Sequence, residues 1–180
     1  MARVQAAALD LFERRGFDAV PIEEIARAAD VGPATIYRNF GTKERLVLWD
    51  EYDPMLLTAL AAELAGRPVL AAVPRALTSA LAGIYTTDRE RILRRARLIR
   101  ATPALQVAIA ADQRALRTAL AATLRASGRA RDDLAAQVFA GAIASALEAG
   151  VDRWLDGEGR EPLARCLTRA FDRLRRLATA

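Results

Sequence analysis

The hydrophobic positions of this chain return every three or four residues almost from end to end, while runs alternating with period two are nearly absent. Val4, Ala8, Leu11 and Phe12 form one face of a first helix. It should stop at Gly16, which tolerates the left-handed backbone needed after a last turn, with Phe17 folding back onto the helix. A short second helix is predicted from about Pro21 to Ala29, since proline is accepted at a first helical position. Asp30, Val31 and Gly32 make a turn, Pro33 to Phe40 a third helix, and Gly41-Thr42 a break, with Thr42 capping a fourth helix that starts at Lys43. That helix carries Leu46, Trp49, Tyr52 and Leu56 and is ended or kinked by Pro54 at about Asp53. Further breaks at Gly66-Arg67-Pro68, Pro74, Thr86-Thr87-Asp88, Thr102-Pro103, Ser127-Gly128 and residues 156–159 leave about five more helical segments. The pattern predicts an all-α chain of about nine helices.

Composition narrows the chemistry. With 53% hydrophobic residues in 180 and a mean hydropathy of +0.07, the chain can bury a substantial core. No apolar run approaches the roughly 18–20 residues of a membrane span, and Met1–Leu11 is amphipathic with Asp10 inside it, unlike a signal peptide. The reading is a soluble, cytoplasmic protein without a membrane partner. Histidine is absent and Cys166 is the one cysteine, so the commonest general base, an internal disulfide and a cysteine-based metal site are all excluded. No catalytic residue, metal or cofactor is expected. Cys166 falls in a helical pattern with Leu163, Leu167 and Phe171 and reads as a packing residue. The competing enzyme reading would rest on carboxylates, and only Asp50, Glu51 and Asp53 cluster, with Asp50 and Asp53 on one helix face.

The net charge of +5 points to a polyanionic partner, yet residues 1–45 hold seven basic and seven acidic residues. The excess lies downstream, notably in Arg89, Arg91, Arg94, Arg95, Arg97 and Arg100. Ile92, Ala96 and Ile99 give that stretch a buried stripe, so most of its arginines are expected on the wet sides of a helix.

Residues 16–46 carry the functional signal. Two short helices joined by a four-residue turn turn Ile25, Ala26, Val31, Ile36 and Phe40 inward, with Phe12 and Phe17. Pro33, Ala34, Thr35, Tyr37, Arg38 and Asn39 remain outside on the third helix, a set of hydroxyls, an amide and a guanidinium suited to the major groove. Gly16, Phe17, Ile25, Ala26, Ala29, Val31, Thr35, Ile36, Tyr37, Phe40, Thr42, Lys43, Glu44 and Leu46 together closely resemble the N-terminal signature of the tetracycline-repressor (TetR) family. The resemblance implies a helix-turn-helix in which Tyr37, Thr42 and Lys43 contact phosphates while Pro33, Ala34, Thr35 and Arg38 approach base edges. Asn39 joins this DNA-facing set where an aromatic residue or histidine is common. Val20 and Pro21 replace the usual hydroxyl residues, Asp30 the turn glycine, and Gly32 a capping Ser or Thr. The chain opens directly in its first helix, without the family's basic arm, which an upstream start would supply.

By the same resemblance, residues 1–45 form the DNA-binding domain and residues 46–180 a larger helical bundle for ligand binding and dimerisation. Candidate pocket residues there are Trp49, Tyr52, Leu81, Tyr85, Leu98, Leu105 and Ile109, a mainly aliphatic set that favours an elongated apolar effector. The arginines of residues 89–100 could hold an acidic end, which makes an acyl-type ligand the leading choice. The stretch WDEYDP at residues 49–54 is similar to a subgroup of actinobacterial regulators linked to redox-cofactor and lipid metabolism. Phe139, Gly141, Ala142, Ser145, Ala146 and Ala149 give a small-residue helix face fit for pairing two subunits. The expected function is a homodimeric, sequence-specific transcriptional repressor released from a palindromic DNA operator by a small molecule. The rival within the same fold is a helix-turn-helix protein that binds DNA without an effector.

Overall fold

The computed structural model describes residues 1–49 and 53–178, with the backbone alone at 53, 54, 56, 57, 82–87 and 178. The described residues form nine α-helices: α1 (Ala2–Arg15), α2 (Ile22–Ala28), α3 (Pro33–Phe40), α4 (Lys43–Leu48), α5 (Asp53–Gly66), α6 (Val69–Ala101), α7 (Pro103–Ala126), α8 (Asp133–Asp156) and α9 (Leu163–Ala178). They divide into two compact units, Met1–Glu51 with Glu90–Ala111, and Tyr52–Arg89 with Asp112–Ala180.

In the first unit α1 buries Val4, Ala8, Leu9, Leu11 and Phe12, and α2 adds Ile22, Ile25 and Ala26. Gly16 ends α1 at φ 85° with its N–H donating to the Phe12 carbonyl (2.8 Å). Phe17 then turns back so that its ring lies 5.0 Å from that of Phe12. Asp30 takes a left-handed φ of 54° in the turn to α3, a conformation that an Asp side chain tolerates better than most. Ile36 and Phe40 of α3, Leu46 and Val47 of α4, and Leu105 of α7 close the core, with Trp49, Leu98 and Ile99 packed against it.

The second unit is centred on Leu64, Val69, Ala72, Val73, Leu120, Leu124, Ala136, Ala140, Ile143 and Phe171. Asp132 caps α8 by accepting from the Ala135 N–H at 2.7 Å. Near its other end α8 meets α9 at Gly150, where a Cβ would fall 2.7 Å from Leu167 Cδ2 and 3.0 Å from its Cα. Cys166 is buried there, and desolvation together with the Glu161 carboxylate raises its pKa, so it stays a neutral packing thiol.

Three expectations need correcting. Pro54 does not end α4: α4 stops at Leu48, and Pro54 is the second residue of α5, in the first turn where a missing N–H costs nothing. The breaks expected at Pro74 and at residues 86–88 are absent, because α6 runs unbroken over 33 residues. Pro74 forfeits a single bond in the second turn, its carbonyl still accepts from Thr78 Oγ1 (2.8 Å), and the buried stripe of Ala72, Val73, Ala76, Ala80 and Leu81 outweighs the local stop signals. Finally, α8 is by length and composition apolar enough to cross a membrane, although Gln137, Ser145 and Glu148 interrupt its run in sequence. Only 28% of its apolar window is buried within the chain.

Candidate nucleic-acid interface

The first unit presents one face of α3 on a closed hydrophobic base. Burial of Ile36 and Phe40 at spacing i, i+4 fixes the helix rotation, which leaves Pro33, Ala34, Tyr37, Arg38 and Asn39 exposed and Thr35 half-buried. Tyr37 is 49% exposed, unusual for an aromatic ring with a packed core beneath it. Asn39 Nδ2 donates to the Thr35 carbonyl at 2.7 Å, so its amide nitrogen is partly committed to its own helix while Oδ1 remains available.

Thr42 and Lys43 follow at the start of α4. The Thr42 hydroxyl accepts from the Arg45 N–H (3.1 Å), the cap expected from its sequence position, and keeps its own proton to donate. Lys43 behaves differently from a plain surface cation. Its Nζ donates to the carbonyls of Phe17 (2.8 Å) and Val20 (3.2 Å) and stands over the Phe17 ring. The side chain therefore braces α4 against the loop between α1 and α2, with one ammonium hydrogen left over.

Charge in this unit comes from an unexpected direction. Over the unit's own bounds, Met1–Glu51 with Glu90–Ala111, twelve basic residues stand against ten acidic ones, so the α6 arginines turn a slightly acidic segment into a slightly basic unit. These arginines do not simply face water as the sequence reading held. Arg94 binds Asp10 (2.5 Å) and Glu13 (2.6 and 2.7 Å) on α1, contacts that hold its guanidinium pKa above the ordinary arginine range. Arg95 Nη1 donates to the Trp49 carbonyl at 2.6 Å, and Arg91 Nη1 reaches Gln5 Oε1 at 3.5 Å. Arg89, in the other unit, donates to the Gly159 carbonyl at 2.6 Å. Four arginines assigned to solvent or to an acidic ligand are thus structural ties, since a guanidinium carries five donors that carbonyl, amide and carboxylate oxygens can share.

The candidate pocket residues fall in both units. Trp49, Leu98 and Leu105 belong to the core of the first unit, Ile109 is half-buried in its Glu90–Ala111 segment, and Leu81 is buried in the second unit. Tyr52 and the side chain of Tyr85 lie outside the described residues, as do Asp50, Glu51 and the side chain of Asp53. A shallow apolar crevice, too narrow to hold a water molecule, lies in the second unit among Leu60, Leu64, Val69, Val73, Leu120, Thr123, Leu124 and Ile143. On α8, Phe139 and Ser145 are exposed, as is Ala149, and Ala142 is half-buried. Ala146 is not available to a partner, because it packs into the second unit's own core at 8% exposure. Leu134 and Val138, which the small-residue criterion passed over, are exposed at 72% and 61%. Their apolar side chains at i, i+4 were the signal to find them. Among the described residues no group of three or more acidic or sulfur ligands is arranged to hold a metal.

A short helix exposed on a tri-helical base, following a four-residue turn, defines a helix-turn-helix DNA-binding protein. Residues 5–48 match the family described as bacterial regulatory proteins, tetR family, and residues 67–178 match the MftR C-terminal domain. The chain belongs to the TetR family of bacterial regulatory proteins and is a DNA-binding transcriptional regulator. It is similar to MftR of Mycobacterium tuberculosis, a protein named for regulation of mycofactocin biosynthesis, at 29% identity over 94% of this chain and 86% of that protein. It is also similar to the regulator TcmR of Streptomyces glaucescens, 31% identical over 54% of this chain and 46% of that protein. Among solved structures, Thermus thermophilus FadR, crystallised with lauroyl-CoA, shares the fold at TM-score 0.56 and 23% identity over 95% of this chain and 91% of its own. A TetR-like regulator from Rhodococcus sp. RHA1 does so at TM-score 0.51 and 24% identity, over 99% and 96%.

Proposed function

We propose that the protein is a cytoplasmic, homodimeric repressor, without enzymatic activity, that holds a near-palindromic operator through two copies of the α3 face and releases it when a small apolar effector binds. The observation that carries this reading is α3 itself, whose Pro33, Ala34, Tyr37 and Arg38 stand exposed on a helix fixed by Ile36 and Phe40. Arg38 suits bidentate pairing with guanine, Pro33, Ala34 and Thr35 approach bases, and Tyr37 and Thr42 donate to phosphates. Asn39 contributes through Oδ1. Lys43 serves mainly as a brace and gives a phosphate its remaining hydrogen.

Residues 1–45 read DNA in this proposal, buttressed by the arginines of α6, and residues 46–180 pair the subunits and take the effector. Pairing through α8 accounts for an apolar helix that its own subunit buries so little. Leu134, Val138, Phe139, Ala142, Ser145 and Ala149 form the contact, and two α3 helices then stand about 34–36 Å apart, one turn of DNA. The aliphatic lining of the second unit suits an effector with an aliphatic body of the acyl type, for which the packed crevice among Leu60, Val73 and Leu120 would have to open. FadR with its lauroyl-CoA is a precedent in fold alone. Coupling of about 1–3 kcal/mol between the sites suffices for a 5–150-fold loss of DNA affinity. The likeness to MftR supports reading the target genes as those of a mycofactocin-type pathway.

Selection of bound duplexes from a random library tests the proposal. Recovery of a palindrome with half-sites one helical turn apart is the expected result, and recovery of unrelated sequences bound equally well would overturn it. Operator binding that no acyl thioester or other apolar ligand alters would leave a repressor without an effector.

A further inference from the structure

A buried glutamine stands in the apolar face of α1. Gln5 is 1% exposed, and its Nε2 donates to the carbonyls of Leu46 (3.0 Å), Val47 (3.2 Å) and Trp49 (2.7 Å) at the far end of α4. A short helix leaves its last carbonyls without intrahelical donors, and inside a core such groups must find others. Two amide hydrogens are shared here among three acceptors, while Gln5 Oε1 faces Arg91 Nη1. Turning the carboxamide over would set its oxygen against three carbonyls, so the orientation is fixed by charge. Arg95 meets the same Trp49 carbonyl at 2.6 Å, and Trp49 packs edge-on against Phe40 of α3, ring centres 6.0 Å apart.

We propose that Gln5 is a positioning residue for DNA recognition: it caps α4 from α1 and, with Arg95, forms a clasp on the Trp49 carbonyl that must be closed for α3 to be presented correctly. This rests on the operator-binding reading above. The clasp links three segments distant in sequence, and its two donors converge on one acceptor beside the ring that supports Phe40. Opening it frees the end of α4 without removing any group from the DNA-facing surface. Loss of Gln5 should therefore lower the affinity that depends on matched half-sites and spare the affinity for DNA in general.

The test uses the full chain with Gln5→Met, which keeps length and volume but donates nothing, together with Arg95→Met and Arg95→Lys. Affinity for the selected operator and for an unrelated duplex is measured across a salt series, alongside thermal melting. Gln5→Met and Arg95→Met should lose about tenfold or more on the operator, with unchanged salt slope and with affinity for the unrelated duplex within about twofold, because no phosphate contact is lost. Arg95→Lys, which still donates, should keep most of the operator affinity. Full operator affinity in Gln5→Met overturns the proposal, and so does parallel loss on both duplexes, which marks simple loss of fold. If the wild-type protein selects no operator, the DNA reading fails instead, and the clasp is read from ¹⁹F spectra of 5-fluorotryptophan protein. A shifted Trp49 resonance in Gln5→Met then supports it, and an unmoved one overturns it.

Discussion

The ammonium of Lys43 sits 4.4 Å above the Phe17 ring centre while donating to that residue's own carbonyl at 2.8 Å. One side chain thus joins the start of α4 to the turn that follows α1. Lys43→Met should destabilise the protein by about 2 kcal/mol, since it removes charge-assisted bonds to two carbonyls and a cation–π contact. Thermal or urea unfolding measures this. Unchanged stability together with a salt slope lower by a full unit would instead make Lys43 a phosphate ligand first.

Arg38 has no such internal duty in the geometry of α3. Arg38→Ala should cost about 1–3 kcal/mol on the operator and relax preference at one base pair per half-site. Melting should stay where it is. Repeating the library selection with the variant checks this, and an undiminished preference at every position would remove Arg38 from base reading.

Val138 offers a cleaner probe of subunit pairing than Ala146. A charge at Ala146 would break the subunit's own core, whereas Val138 is already 61% exposed. Val138→Arg should yield a folded monomer by light scattering, with helical content intact and operator binding greatly weakened. A dimer that persists in both Val138→Arg and Ala142→Arg would move the interface off this face of α8.

Gly150 is set by proximity, with no torsional demand upon it. Its added Cβ would press on the Leu167 backbone as well as on its side chain, so Gly150→Ala should destabilise by about 1–3 kcal/mol. Trimming Leu167 to Ala in the same chain should restore only part of that loss, because Leu167 Cα remains. A differential scan of the single and double variants would expose any error in this packing account.

The helix-turn-helix was legible because its signals are local. Gly16, Asp30, Pro33 and Thr42 each act on their own backbone, and each does in the structure what its chemistry dictates. Signals decided by distant contacts were not legible. Pro74 and Asp88 look like helix boundaries until an apolar stripe carries α6 past them. Gln5 looks like an ordinary polar residue near a helix start until α4 supplies three carbonyls more than forty positions away. The second role of Lys43, beside the phosphate contact read from the motif, and the ties of the α6 arginines were hidden because their acceptors lie far away along the chain. Periodicity likewise marked Leu98 and Leu105 as apolar without telling which core they enter.

The arginine segment of α6 also bears on how this regulator could be rebuilt. A designer who transplants the reading head as one continuous piece, cutting near Trp49, would carry away Asp10 and Glu13 without Arg94 and the Trp49 carbonyl without Arg95. Such a graft would leave two carboxylates of its first helix without their guanidinium and would hold its fourth helix more loosely. Swapping specificity between regulators of this build therefore calls for exchanging two stretches of chain together, the first 49 residues and the stretch from Glu90 to Ala111.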